Sequence, residues 1–306
     1  MPEAPEVERV RRTLEPWLVG ATVLAATLRR RDIVVRPGDP PGGLSRQRAG
    51  TREAIRLRPV PRHELLVGQR IARVERHGKQ LAIATDAGPA LVVHLGMTGR
   101  LLVDADASDG SGQRSSGTRV AATPHTHITW RLARDAAPIR LRFIDPRRFG
   151  GVWIIPTRDD LQRRRTELGP DATAITGAQL SRALASSARP IKAALLDQRT
   201  VAGVGNIYAD ESLFEAGITP RRLASTLTPA DIDRLATAIR LVIARAIDAG
   251  GSTIRDYADA DGQPGSAQTL HAVYGRAARP CLRCATALAS GTVAQRTTVW
   301  CPRCQR

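Results

Sequence analysis

The chain has 306 residues, 42% of them hydrophobic, enough for one large or two ordinary domains. Lys and Arg number 46 against 29 Asp and Glu, a formal net charge of +17. That excess points to a polyanionic partner, although charge alone does not separate DNA, RNA and an anionic membrane surface, and no apolar run reaches the length of a membrane span.

Residues 3–18 place Val7, Val10, Leu14, Trp17 and Leu18 at helical spacing, with Glu3 and Glu6 at the end where a helix favours negative charge. The acidic opening Met1-Pro2-Glu3-Ala4-Pro5-Glu6 is unlike a secretory signal, so a cytoplasmic location with reduced thiols is expected. From about 20 to 155 the signals are short and strand-like: Gln80–Thr85, Ala90–His94, His127–Leu132, Ile139–Ile144 and Val152–Ile155. Gly, Pro and Asp separate them, as in an antiparallel sandwich or barrel. Arg36–Arg62 and Asp104–Pro124 read as irregular insertions, expected to be surface loops. After Thr157 the pattern becomes helical, over Gln179–Ser187, Ile191–Gln198, Asn206–Ala216 and Ala230–Ala249. The last has Thr228 as N-cap, Pro229 in the first turn and Gly250-Gly251 as its stop. A Gly/Asp/Pro loop at Asp259–Gly265 leads to a Cys-bearing tail.

All four cysteines lie in that tail, as Cys281-x2-Cys284-x16-Cys301-x2-Cys304. The spacing puts two thiolates on each of two tight knuckles and predicts one structural Zn2+ in a closed tetrahedral site. A hairpin is expected between the knuckles, carrying Arg296 near its tip.

Only Lys79 and Lys192 are lysines; the other 44 basic residues are arginines. Retention of two ammonium groups in so Arg-rich a chain either marks two sites that need a compact, flexible cation or is chance.

Pro2 followed by Glu3 is an ordinary helix start, but excision of Met1 would also expose a free prolyl amine. Together with the zinc tail, Pro2-Glu3-Ala4-Pro5-Glu6-Val7-Glu8 resembles the opening of the formamidopyrimidine-DNA glycosylases, with Ala4 where that family has Leu. His77-Gly-Lys79-Gln-Leu, His94-Leu-Gly-Met97-Thr-Gly, Asp145-Pro-Arg147-Arg-Phe149-Gly, Ile191-Lys192, Val204-Gly205-Asn206-Ile207-Tyr208-Ala209 and Val273-Tyr274-Gly275-Arg276 resemble further family motifs in the same order. The resemblance spans the chain apart from the two insertions.

It implies an α+β multidomain fold: an N-terminal helix with an antiparallel β-sandwich over 1–156, a helix–two-turns–helix domain over 157–270, and a zinc finger over 271–306. It implies a base-excision repair enzyme that removes oxidised purines, 8-oxoguanine and formamidopyrimidines, from duplex DNA. The abasic strand would then be cut by β,δ-elimination through a Pro2 Schiff base. In this family reading Pro2 is the nucleophile and Glu3 the proton shuttle, while Lys79 and Arg296 hold phosphates at the reaction centre. Lys192 and Asn206 would be further phosphate ligands, the latter together with the N–H groups of the helix it opens. Met97, Arg147 and Phe149 would fill the hole left by the everted base, and His125 would also contact DNA. The partner is double-stranded DNA bearing oxidised purines or abasic sites, with no membrane and a monomeric protein expected. A sister class, the endonuclease VIII-like enzymes, shares the fold and start but prefers oxidised pyrimidines; a DNA-binding protein without activity is the non-enzyme alternative. Gly265-Ser266-Ala267-Gln268 lacks the aromatic residue that the family often has in the loop over the damaged base, which leaves base preference open.

Overall fold

The computed structural model describes residues 2–39, 59–105, 124–254 and 257–306. Most of the two insertions, 40–58 and 106–123, lies outside these described residues.

The first helix, α1 (Ala4–Leu18), starts where the spacing predicts. Glu6 Oε2 accepts the Glu3 N–H at 2.7 Å, which satisfies a donor that the helix start leaves without an intrahelical partner. Val7, Val10, Leu14 and Leu18 are all buried and form one face. That face enters the core of the β-region, while Ala4 at the tip belongs to the core of the helical region. One helix therefore joins both cores, and truncation of Leu14 to Ala would cost about 2–5 kcal/mol.

Two sheets sandwich the first core. One is antiparallel in the order β1 (Thr22–Leu28), β7 (Thr126–Arg134), β8 (Ala137–Ile144), β6 (Arg100–Ala105). The other runs β2 (Val34–Val35), β9 (Gly151–Ile155), β5 (Ala90–His94), β4 (Gln80–Thr85), β3 (Ile71–His77). Its pairings are antiparallel except for the two-residue parallel contact of β2 with β9, a departure from the all-antiparallel expectation. Ile128, Trp130, Leu132, Leu141 and Phe143 alternate inward from β7 and β8, and Leu81, Ile83, Leu91 and Val93 do so from β4 and β5. The outer face of the second sheet is also apolar, with Ala82, Ala84, Val92 and Ile155. It is covered by α2 (Arg158–Thr166), which periodicity does not predict because Leu161 is its one apolar residue. The Thr157 hydroxyl caps α2 by accepting the Asp160 N–H at 3.1 Å.

The helical region holds α3 (Gly177–Leu184), α4 (Ile191–Leu196), α5 (Asn206–Ala216) and α6 (Pro229–Asp248). Thr228 caps α6 in a reciprocal box with Asp231. Helix α5 is buried from Ile207 to Phe214 without a break, so it is the central rod of this region. Three of those residues, Asp210, Glu211 and Ser212, are polar, and the first two bind the tail. The Glu211 carboxylate accepts the N–H groups of Ala272, Val273 and Tyr274 at 2.7–2.9 Å. Asp210 Oδ2 accepts the Val299 N–H at 3.1 Å. The tail is the hairpin β10 (Ala289–Val293) and β11 (Arg296–Trp300), turned by Ala294 and Gln295 in the left-handed region that a tight primed turn demands. A small core of Phe214, Val273, Leu288 and Val299 with Cys281 and Cys301 seats it on α5.

Among the described residues no helix is long and apolar enough to cross a membrane.

Candidate active site

The start of α1 and the start of α5 meet head to head. Gly205 is the N-cap of α5, and no side chain of its own caps that helix. The Glu3 carboxylate does so instead, accepting the N–H groups of Gly205 at 2.6 Å, Ile207 at 2.9 Å and Tyr208 at 3.3 Å. A carboxylate at a helix N-terminus satisfies both orphan donors and dipole, which explains how Glu3 stays 98% buried. The expectation that the helix-start N–H groups face a phosphate is thereby corrected for Gly205, Ile207 and Tyr208, whose N–H groups Glu3 occupies. A side chain at position 205 would strike the Glu3 carboxyl carbon at 2.4 Å and Lys79 Nζ at 2.7 Å, so glycine is required by close approach.

Pro2 is buried beside Glu3. A cleft of about 440 Å³ opens here, lined by Glu3, Lys79, Met97, Asn206, Tyr274 and Arg296 among others. Among the separate chain segments that thus converge are the N-terminus, the β3–β4 turn, the loop after β5 that carries Met97, the α5 start, the segment of Tyr274 and the zinc hairpin. Lys79 follows Gly78, which has a positive φ and where a side chain would strike Ala202 Cβ at 2.9 Å, so glycine lets the turn approach the helical region closely. Arg76 fastens this turn by a two-pronged bond to Asp171 at 2.7 and 2.8 Å, and Asp171 also accepts the Gly78 N–H at 2.7 Å. Burial works against the Asp171 charge, yet these partners hold its carboxyl down at about 2. Lys79 is only 7% exposed and, among the described residues, its ammonium makes no hydrogen bond or ion pair. Burial lowers its pKa, with the charges of Glu3 and Glu6 opposing and that of Arg296 assisting. A desolvated, unpartnered cation facing a cleft is a binding group in want of an anion.

Lys192 contradicts its expected role. It is fully buried, 2.7 Å from Asp210 Oδ1, and donates to Thr298 Oγ1 at 2.7 Å and the Thr297 carbonyl at 3.0 Å. It cannot reach a phosphate, because three protein groups already hold its ammonium. Burial raises the Asp210 carboxyl to about 6 against the pull of Lys192. What the pair does is tie α4 and α5 to β11, the strand that begins with Arg296. Asn206 adds a bond from its amide to the Thr297 carbonyl at 3.1 Å while remaining at the cleft wall.

Met97 and Phe149 are 42% and 49% exposed, unlike the usual core placement of such residues near strands. The Arg147 guanidinium lies 4.7 Å from the centre of the Phe149 ring. Buried Asp145 couples the two loops that carry these side chains, accepting from the Thr98 hydroxyl at 2.6 Å and the Gly150 N–H at 2.8 Å. Exposed His125, at φ 65, adjoins them through its carbonyl, which accepts the Asp145 N–H.

The four cysteine sulfurs lie within 4.8 Å of one another. Sγ pairs at 3.5 Å (Cys284–Cys301) and 4.0 Å (Cys281–Cys304) bracket the roughly 3.8 Å edge of a tetrahedron with Zn–S bonds of about 2.3 Å. The N–H groups of Arg283 and Cys304 point at Cys281 and Cys301 Sγ, which is how a metal knuckle shields thiolate charge. The residues fit a four-thiolate metal.

Tyr274 and Ile254 also line the cleft, and sequence reasoning assigned neither a role. Ile254 is half exposed and supplies an apolar wall near the segment that lacks an aromatic; Ala267 in that segment is buried.

Sequence profiles of the formamidopyrimidine-DNA glycosylase N-terminal domain and H2TH domain match residues 1–152 and 168–258. The formamidopyrimidine-DNA glycosylases of Alkalilimnicola ehrlichii and Chelativorans sp. are 41% and 38% identical, over the full length of both chains in each case. The structure of MutM (Fpg) from Thermus thermophilus matches with a TM-score of 0.76 at 38% identity, covering 99% of this chain and 98% of that one. A Lactococcus lactis Fpg mutant in complex with Fapy-dG-containing DNA matches over the whole of both chains, with a TM-score of 0.79 at 30% identity. The chain belongs to the formamidopyrimidine-DNA glycosylase family and is a DNA glycosylase.

Proposed function

We propose that this enzyme excises oxidised purines from duplex DNA and then cuts the strand, with the secondary amine of Pro2, freed by removal of Met1, as nucleophile. The observation that carries the reading is the cleft itself, where the residue after Pro2 is locked onto the α5 N-terminus opposite an unpartnered lysine and Arg296. The amine lone pair attacks C1′ as the bond from C1′ to the base breaks, and the base leaves with a proton. Glu3 delivers a proton to the ring oxygen, the sugar opens, and a cationic iminium remains on Pro2. Its charge acidifies the C2′ hydrogen, so loss of that proton expels the 3′ phosphate. A second elimination expels the 5′ phosphate, and water then releases the sugar remnant.

Lys79 and Arg296 hold the phosphates flanking the everted nucleotide, and the Asn206 side chain adds a contact at the cleft wall. Met97, Arg147 and Phe149 enter the vacated stack as wedge, cation and ring, with His125 beside them on the DNA face. A Zn2+ held by Cys281, Cys284, Cys301 and Cys304 would supply no chemistry, having no open position; it would fix the hairpin that presents Arg296.

The test is a duplex with 8-oxoguanine opposite cytosine and Met1-free protein. The expected product is a one-nucleotide gap with phosphate at both ends. Cleavage confined to an oxidised-pyrimidine duplex would move the chain to the sister class, and binding without cleavage of any lesion or abasic site would leave only a DNA-binding role.

A further inference from the structure

Beneath the cleft lies a hydrogen-bonded chain that the reaction above does not use. Glu6 is 99% buried, and its Oε2 accepts the N–H of the peptide joining Pro2 to Glu3, three covalent bonds from the prolyl nitrogen. Its Oε1 accepts from the Tyr208 hydroxyl at 2.6 Å and the Ser252 N–H at 2.7 Å. The Tyr208 hydroxyl lies 3.1 Å from Ser252 Oγ, and Ser252 Oγ lies 3.0 Å from His271 Nε2.

Proton counting gives the chain a direction. The one Tyr208 hydroxyl proton goes to the carboxylate, so that oxygen accepts from Ser252. The Ser252 proton is then spent on Tyr208, so Ser252 accepts from His271, which must carry hydrogen on Nε2. Every donor points toward Glu6, and such aligned bonds polarise one another. His271 sits at the outer end, half-buried, with its ring edge-on to Tyr274 at 5.5 Å, and Tyr274 lines the cleft.

We propose that His271 is a positioning residue for the nucleophile: acting through Ser252, Tyr208 and Glu6, it keeps Glu6 an ionised acceptor that fixes the Pro2–Glu3 peptide and offsets the positive charge of the iminium. The inference rests on Pro2 being the nucleophile. Burial, and then the Glu3 charge, push the Glu6 carboxyl up, while the Tyr208 and Ser252 bonds pull it back down. Loss of the terminal donor weakens that pull, so Glu6 would take up a proton at higher pH. Glu3, Lys79, Tyr208 and Tyr257 are the other titratable groups acting on Glu6. Around His271 they are Glu211, Glu215, Arg245, Tyr208 and Tyr274, and the Glu3 charge also acts on it. Burial lowers the His271 pKa, so the ring is neutral at neutral pH and its Nε2 hydrogen is a matter of tautomer.

The experiment is single-turnover cleavage of the 8-oxoguanine duplex at saturating enzyme from pH 5 to 9, with the DNA dissociation constant measured in parallel. His271→Phe keeps an aromatic ring and loses the donor. It should slow cleavage at neutral pH about fivefold, the worth of one hydrogen bond, and move the acid limb to higher pH at unchanged DNA affinity. Ser252→Ala should do the same without touching the ring, whereas His271→Gln, whose amide donates from the equivalent position, should return to within about twofold of wild type. A His271→Phe rate and acid limb equal to wild type would overturn the inference, as would a His271→Gln variant as slow as His271→Phe, which would make the role one of packing. Wild-type protein that does not cleave at all would overturn the functional reading and this inference with it.

Discussion

Lys79 and Lys192 are the only two lysines in the chain, and both lie in the fields of Glu3 and Arg296. Their surroundings are opposite. Lys79 ends at a cleft with no partner among the described residues, whereas Lys192 is enclosed by Asp210, Thr297 and Thr298. The same compositional signal thus marks one cation left unpartnered at a cleft and one that holds the protein together. An Arg in place of Lys192 would need room for a planar fork inside a fully buried site, which accounts for an ammonium there without any role in binding.

Removal of the metal should separate the two most. Without the knuckles the hairpin loses its anchor, and Lys192 loses the Thr297 and Thr298 partners while the Lys79 turn keeps its Arg76–Asp171 brace. Chelation or Cys301→Ser should abolish cleavage, and in the chelated protein the amide exchange protection of β11 should vanish while that of β3 and β4 persists. Next in size, Lys192→Met leaves Asp210 as an uncompensated buried carboxylate and should cost about 3–5 kcal/mol in chemical denaturation. Lys79→Met removes an unpaired buried charge, so its stability should change by less than about 1 kcal/mol while cleavage falls on the order of 100-fold. Equal stability losses for the two variants would erase the distinction. The double variant Lys192→Met with Asp210→Leu should recover most of the lost stability, since apolar replacement of both partners is often neutral.

The smallest effect concerns pH. Because burial lowers the Lys79 pKa, its ammonium discharges at a lower pH than an ordinary lysine, so the proposed contact with phosphate would be present at low pH and lost as pH rises through that value. Lys79→Arg keeps its charge throughout, and its DNA affinity should lack the alkaline decline of wild type. Parallel curves for the two proteins would count against Lys79 as a phosphate ligand.

Local signals made much of this molecule readable. The α5 boundaries at Asn206 and Ala216 follow from periodicity between Gly205 and Gly217, and the α6 start follows from Thr228 and Pro229. The metal cluster needs only the Cys spacing. What escaped depends on contacts between distant segments. Helix α2 has no apolar face to detect and exists because the outer surface of a sheet needs a cover. The motif of Lys192 points to phosphate because it carries identity but not burial, and the partners of Lys192 lie 18 and 106 positions away. The Gly205, Ile207 and Tyr208 N–H groups point to phosphate in the motif for the same reason, since their occupant, Glu3, is some 200 residues upstream. Met97 and Phe149 illustrate the converse, because a Met and a Phe near strands favour a core role and only the motif points to the surface.

The central claim is that Pro2 is the nucleophile of this cleft, and borohydride trapping tests it most directly. Met1-free protein would be incubated with the 8-oxoguanine duplex and borohydride, digested, and the adduct located by mass spectrometry. The account predicts a single reduced adduct on the peptide that begins with Pro2, absent when the N-terminus is acetylated. An adduct on Lys79, or one that survives acetylation, would contradict it.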